Sequence, residues 1–273
     1  MLPKLPTAFA LAFAVTAFIA SGVNAEERDC RSSYYPGMNG YGTATLPDNG
    51  LYEGHFREGL FHGEGKILWK DGDRYTGSFQ NGLYNGEGVL TSRDGGEYRG
   101  AFKDGQRHGK GTYRGANGDV FEGEYQKDLP HGYGIFIIKD VGKYEGYLAN
   151  GRYNGQGKFF FEDGRMYDGH FQNGSWNGLG KLVRPSLETY EGEFKNGEYH
   201  GVGRITWVNG DWFEGPFAAG AVNGDGICSI EGAIGTCTFD RGFFLKFVPT
   251  PQRELAPPIH SHRLNTVCHS RNA

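Results

Sequence analysis

The sequence predicts an all-β protein, a single-layer antiparallel ribbon or solenoid of stacked β-hairpins. Three observations carry that prediction. An aromatic-x-Gly start recurs at Tyr52, Tyr75, Tyr98, Phe121, Tyr144, Tyr167, Tyr190 and Phe213, every step being 23 residues; a fixed period of this size marks a repeat architecture. Turn dipeptides recur with the same phase, among them Asn81-Gly82, Asp104-Gly105 and Asn196-Gly197. Glycine, 47 of 273 residues, is accompanied by 20 Phe, 16 Tyr and 4 Trp. Disordered chains are poor in aromatics, and collagen places glycine at every third residue, so both are excluded.

Each unit supplies two strands. In the first, position one is aromatic, position three is Gly in all eight units (Gly54 through Gly215) and position five is a large apolar residue (Phe56 through Phe217). On a strand these alternate residues share one face and the intervening polar ones take the other. The turn dipeptide follows, glycine tolerating the positive φ that tight reversals demand. The second strand carries Gly-x-Gly and then an apolar residue: Ile67, Leu90, Tyr113, Phe136, Phe159, Leu182, Ile205 or Cys228. It closes on a further turn such as Asp71-Gly72 or Asn209-Gly210. With no second layer to pack on, the aromatic columns must form the core, each ring lying over the glycines of a neighbouring strand. Burying a Phe or Tyr contributes roughly 1.5–3 kcal/mol, and a lone hairpin would not stand.

This motif, written out at residues 52–65 as YEGHFREGLFHGEG, resembles the MORN repeat. The resemblance implies the same stack of hairpins over residues 52–235, flanked by a half repeat at 37–51 and a terminal half repeat or cap at 236–247. It also implies function. MORN repeats occur in junctophilins and plant phosphatidylinositol phosphate kinases, where they are linked to membrane phospholipid, and elsewhere as dimerisation or assembly scaffolds. Where members are enzymes, catalysis lies in a separate domain, and no such domain fits in this chain.

Outside the repeats, residues 1–25 have Lys4, an apolar run from Ala8 to Ala20 and then Val23-Asn24-Ala25, the order of a signal peptide cleaved after Ala25. The run is shorter than the ~20 residues a membrane-spanning helix needs. The remaining chain is therefore expected to be exported, periplasmic or secreted, with no integral membrane segment. Residues 26–36 read as a linker, and 248–273, rich in proline, as an extended or disordered tail. Four cysteines suit an oxidising compartment. Cys228 and Cys237 flank a Gly-rich turn and are candidates for a disulfide across a hairpin; Cys30 and Cys268 pair only if the tail runs back along the body.

Chemistry-bearing motifs are scarce. His62, His108, His131 and His200 occupy one repeat position that other units fill with Asn39, Asn85, Asn154, Asn177 and Asn223. Asparagine is a poor zinc ligand, and units ~10 Å apart cannot share an ion, so the position reads as a turn residue capping local backbone groups. His260, His262, Cys268 and His269 match no familiar metal spacing. No phosphate loop, nucleophile elbow or zinc-protease motif occurs, so neither cofactor nor metal nor catalytic residue is assigned. The acidic column Glu53, Glu122, Glu145, Asp168, Glu191 and Glu214 reads as a solvated face.

Formal charge is −4. Loss of residues 1–25 removes only Lys4 and leaves −5; the segment from Arg241 onward carries +4, so residues 26–240 carry −9. Anionic membranes and nucleic acid both select basic surfaces, which disfavours each as a partner. Additional rings at Phe61, Tyr84, Tyr153, Trp176 and Tyr199, together with Trp69 and Trp207, either line an aromatic groove able to bind a glycan or lipid or thicken the core. The expected function is a non-enzymatic scaffold for protein partners or for itself, as a homodimer or end to end. Exposed edge strands are the natural place for such pairing.

Overall fold

The computed structural model describes residues 34–251. Residues 1–25, Cys30, Cys268 and the tail histidines lie outside them. The described residues contain no helix. Twenty antiparallel strands form one open sheet: β1 (Gly40–Thr45), β2 (Leu51–Arg57), β3 (Leu60–Leu68), β4 (Arg74–Gln80), β5 (Leu83–Thr91), β6 (Glu97–Lys103), β7 (Gln106–Arg114), β8 (Val120–Gln126), β9 (Leu129–Ile138), β10 (Gly142–Ala149), β11 (Arg152–Phe161), β12 (Met166–Gln172), β13 (Ser175–Arg184), β14 (Glu188–Lys195), β15 (Glu198–Trp207), β16 (Trp212–Ala218), β17 (Ala221–Val222), β18 (Gly224–Ile230), β19 (Ala233–Asp240) and β20 (Phe243–Pro249). Strands adjacent in the chain are adjacent in the sheet, as in β1–β2, β2–β3 and β3–β4. The short β17 and the following β18 both pair with β16.

Two-residue turns close the hairpins, and both turn residues have positive φ, as at Asn81 (51°) and Gly82 (82°) or Asn196 (51°) and Gly197 (85°). That is the turn whose twist matches paired strands. Inside each hairpin the register slips just after the conserved glycine. In β2/β3, Gly54 faces Gly65 but His55 faces His62, leaving Gly63 and Glu64 unopposed. Between hairpins the register is unbroken, from Gly63↔Phe79 to Leu68↔Arg74. A bulge on one strand bends it, so every hairpin folds toward its aromatic face.

The bend explains how a single sheet makes a core. Gly54, Gly65, Gly77 and Gly88 face one another in sequence across β2 to β5, and the position-one rings lie over this glycine row. A Cβ on Gly65 would fall 2.7 Å from the Tyr52 hydroxyl. Tyr52, Tyr75, Tyr144, Tyr167, Tyr190 and Phe213 are completely buried. The hydroxyl of Tyr52 donates to the His55 carbonyl at 2.7 Å, and that of Tyr144 to the Tyr147 carbonyl at 2.7 Å. The tyrosine thus satisfies a backbone acceptor freed by the bulge. At the last hairpin the pattern changes: Gly235 stands where a ring is expected, Cys237 faces Gly226 in the glycine row, and Cys237 is bonded to Cys228. A covalent link replaces a ring-on-glycine contact there.

Candidate interaction surfaces

The aromatic groove is not open. Phe61, Tyr84, Tyr153, Tyr199 and Trp69 are buried, and Trp176 and Trp207 pack against the same core. The bend in each hairpin swings its far half over its near half, and the ring beside the turn lands on the position-one ring. Tyr52 and Phe61 stack at 3.7 Å between centroids, Tyr144 and Tyr153 at 3.8 Å, Tyr167 and Trp176 at 4.5 Å, and Tyr190 and Tyr199 at 3.9 Å. Position-five rings meet these pairs edge-on, as Phe79 meets Tyr52 at 5.4 Å. Such geometries add ~0.5–1.5 kcal/mol per pair beyond burial. These seven residues are core, and a glycan or lipid reading loses the surface it was built on.

The asparagine column bonds between hairpins rather than within one. Asn39 Oδ1 accepts from the Glu58 amide at 2.9 Å, and Asn223 Oδ1 from the Arg241 amide at 3.2 Å. Each acceptor holds the turn of the following hairpin. His62, His108, His131 and His200 are half-buried at the equivalent place. Among the described residues no three His, Cys, Asp or Glu side chains converge as a metal site. A second set of staples, invisible to sequence reading, comes from buried aspartates: Asp73, Asp119 and Asp211 accept from the amides of Arg93, Lys139 and Glu231 at 2.8, 2.9 and 2.7 Å.

One buried charge departs from the repeat. Arg107 occupies the turn-side ring position and is 5% exposed. Its guanidinium lies 5.6 Å from the centre of Tyr98 and 5.5 Å from that of Tyr125, a cation–π sandwich in the aromatic column. Asp128 closes the site. It sits at φ 66° where the other hairpin turns have glycine, and its Oδ1 accepts from both the Arg107 amide (2.9 Å) and Nε (3.2 Å).

The outer face carries the acidic column, and the structure supplies its partners. In register across β10 to β16, Glu145, Lys158, Asp168, Lys181, Glu191, Arg204 and Glu214 alternate in sign strand by strand. Lys158 meets Asp168 at 2.8 Å, Arg204 meets Glu214 at 3.4 Å, and Lys181 pairs with Glu191. Near the other end Lys66 and Glu53 lie 2.8 Å apart, and hydrogen bonds from Lys66 and then Tyr41 hold the Glu53 carboxyl below the usual carboxylate range. Exposed pairs of this kind contribute ~0–1 kcal/mol each, so the ladder chiefly makes the face charged yet nearly neutral.

The two edges of the sheet differ. Among the described residues β1, GYGTAT, pairs only with β2 and is largely polar. Among the described residues β20, FFLKFVP, pairs only with β19 and exposes Phe243, Phe244, Leu245 and Val248; Phe247 packs against the core, and the half-exposed Phe244 ring meets the buried Phe239 edge-on at 5.5 Å. An apolar strand with one unpaired edge is a template for another strand. Sequence reading divided this segment between cap and tail, although the turn Arg241-Gly242 followed by an apolar run was its signal.

A family model described as the MORN repeat matches residues 52–74, 75–97, 98–120, 121–140, 144–164, 167–187 and 190–212. No curated protein sequence matches the chain. Among solved structures the chain is similar to the TCP domain of SAS-4 (dCPAP) of Drosophila melanogaster in complex with a proline-rich motif of Ana2 (dSTIL), at 14% identity, 64% of this chain, 83% of that chain and TM-score 0.25. It is similar to the G-box domain of the microcephaly protein CPAP at 11% identity, 66% and 100% coverage and TM-score 0.35, and to virginiamycin B lyase from Staphylococcus aureus at 13% identity, 79% and 86% coverage and TM-score 0.18. These structural likenesses are too distant to inform function. The repeat matches span more than half the chain, and their boundaries fall on the hairpins described above: the chain belongs to the MORN repeat family.

Proposed function

We propose that this protein is an exported, non-enzymatic scaffold of the cell envelope that joins protein partners, itself first among them, through the free edge of β20. The observation that carries this reading is the exposed strand FFLKFVP, with Leu245 62% exposed and no strand beyond it among the described residues. A second copy of the same strand matches it best. Pairing β20 with the polar β1 of another copy would set apolar side chains against threonine and glycine, whereas a two-fold pairing of β20 with β20 buries like with like. Export is supported by the signal-like order of residues 1–25 and by the bonded Cys228–Cys237 pair, which suits an oxidising compartment. The regular repeat offers no irregular cluster of acid, base and nucleophile for catalysis.

Sedimentation equilibrium tests the pairing. The wild-type chain is expected to dimerise in the micromolar range, and Phe243→Lys combined with Leu245→Lys to weaken the dimer at least ~10-fold, about 1.4 kcal/mol, with an unchanged circular dichroism spectrum. A wild-type chain still monomeric at ~100 µM, or a double variant that dimerises as before, removes the reading.

A further inference from the structure

The acidic column of the outer face is Glu53, Glu122, Glu145, Asp168, Glu191 and Glu214, and all but one of these carboxylates have a cation. Glu53 pairs with Lys66, Glu145 with Lys143, Asp168 with Lys158, Glu191 with Lys181 and Glu214 with Arg204. Glu122 is the exception among the described residues: its neighbours in register are Thr112 on β7 and Ile135 on β9. At this gap in the ladder the surface opens into a cleft of about 490 Å³, floored by the backbone of Gly111, Gly123 and Gly134 and walled in addition by Lys110, Glu124 and Tyr133. Glu122 and Glu124 are alternate residues of β8, so both carboxylates rise from one face of the strand, about 7 Å apart at the backbone. Tyr133 lies between the paired glycines of β9, a place that holds no ring in any other unit. It is 49% exposed, and Tyr147 on β10 steadies its ring edge-on at 5.5 Å.

We infer that the cleft is a receptor for an arginine side chain presented by an extended, basic segment of a protein partner. The molecule itself shows what such a set of groups holds. On the same face Arg204 pairs with Glu214 at 3.4 Å, and its guanidinium lies 4.0 Å from the centre of the Trp212 ring. In the core Arg107 lies between two tyrosines with Asp128 as its counter-charge. The cleft repeats that combination of carboxylate and ring and leaves the arginine out. A guanidinium has donors enough for both Glu122 and Glu124, and its flat face suits the Tyr133 ring. The methylene stem that carries it finds an apolar wall in Ile135. A lysine ammonium offers one point of charge and no flat face, so it fits the same groups less well. Phosphate and other anions meet two carboxylates there and are rejected, while the net negative charge of residues 26–240 draws cations from a distance. Lys110 faces Glu124 across β7 and β8, which offsets part of the site's charge and limits its affinity. Strands β7–β9 do not border β20, so this site stands or falls independently of the edge pairing.

The test titrates the isotope-labelled full chain with a blocked Gly-Arg-Gly peptide and follows the backbone amides by NMR. Those of Gly111, Gly123, Tyr133 and Gly134 are expected to shift saturably, with a dissociation constant near ~1 mM. The same peptide with citrulline for arginine, which keeps the shape and loses the charge, is expected to bind at least ~10-fold more weakly. Glu122→Gln is expected to weaken binding about 5-fold, whereas Glu191→Gln, in the paired part of the ladder, leaves it unchanged. Lys110→Gln is expected to tighten it about 2-fold, a gain that a disturbed fold would not give. Shifts that do not saturate, that spread along the ladder, that citrulline matches, or that respond alike to Glu122→Gln and Glu191→Gln overturn the proposal, as does an affinity that Lys110→Gln fails to raise.

Discussion

At Arg107 the repeat accepts a charge where Phe61, Tyr84, Tyr153 and Tyr199 hold rings. A flat guanidinium between two tyrosines keeps the stacking geometry that a ring would have, and Asp128 supplies the counter-charge from a turn position that otherwise belongs to glycine. The two departures are therefore one. Removing a single member of a buried pair leaves the other uncompensated, so Arg107→Ala is expected to cost about 3 kcal/mol in urea denaturation. Restoring the ordinary unit with Arg107→Tyr and Asp128→Gly together is expected to be neutral or stabilising, because a ring refills the column and glycine relieves the positive φ at residue 128. If Arg107→Ala and the paired replacement cost the same, the two residues are not coupled and the cation–π column does not hold this hairpin.

The hairpin as an element depends on close approach between ring and glycine. Gly180 shows this without the complication of a positive φ: a Cβ there would lie 2.6 Å from the Tyr167 hydroxyl and 2.9 Å from its ring edge. Overpacking of this kind costs ~1–3 kcal/mol, so Gly180→Ala is expected to lower the urea midpoint. In a Tyr167→Ala background the same change is expected to cost almost nothing, and a double-mutant cycle measures the difference; additive costs would mean that ring and glycine do not meet. This element was legible in the sequence because period, turn dipeptides and alternation all pointed to one hairpin. The fate of the turn-side rings was not, because sequence shows an extra aromatic but not the two-residue bulge that folds it inward. The aspartate staples were hidden too, since Asp73, Asp119 and Asp211 look like ordinary turn residues until the neighbouring hairpin's amide is placed against them.

On the scale of the whole molecule, buried tyrosines at position one, at position five and beside the turns share the aromatic row that runs from hairpin to hairpin, and their titration follows from that arrangement. Burial first of all raises the hydroxyl pKa of Tyr98, Tyr125, Tyr144, Tyr153, Tyr167, Tyr190 and Tyr199 above the ordinary value of 10.0. In the folded sheet these groups stay neutral, whereas in the unfolded chain they ionise near pH 10. Their contribution is therefore intact below about pH 10 and is lost as pH rises from there toward the folded-state values, because the unfolded chain releases protons that the folded one retains. Each tyrosine that ionises only on unfolding removes about 1.4 kcal/mol of stability per pH unit above that point, and because all of them lie in one sheet the losses accumulate. Unfolding is thus expected as a steep alkaline transition, in which the rise of tyrosinate absorbance and the loss of the β-sheet circular dichroism signal coincide above pH 10. Tyrosinate forming gradually around pH 10 while the sheet signal persists would show that the row is open to water, and the account of the core given by the glycine row would fail with it.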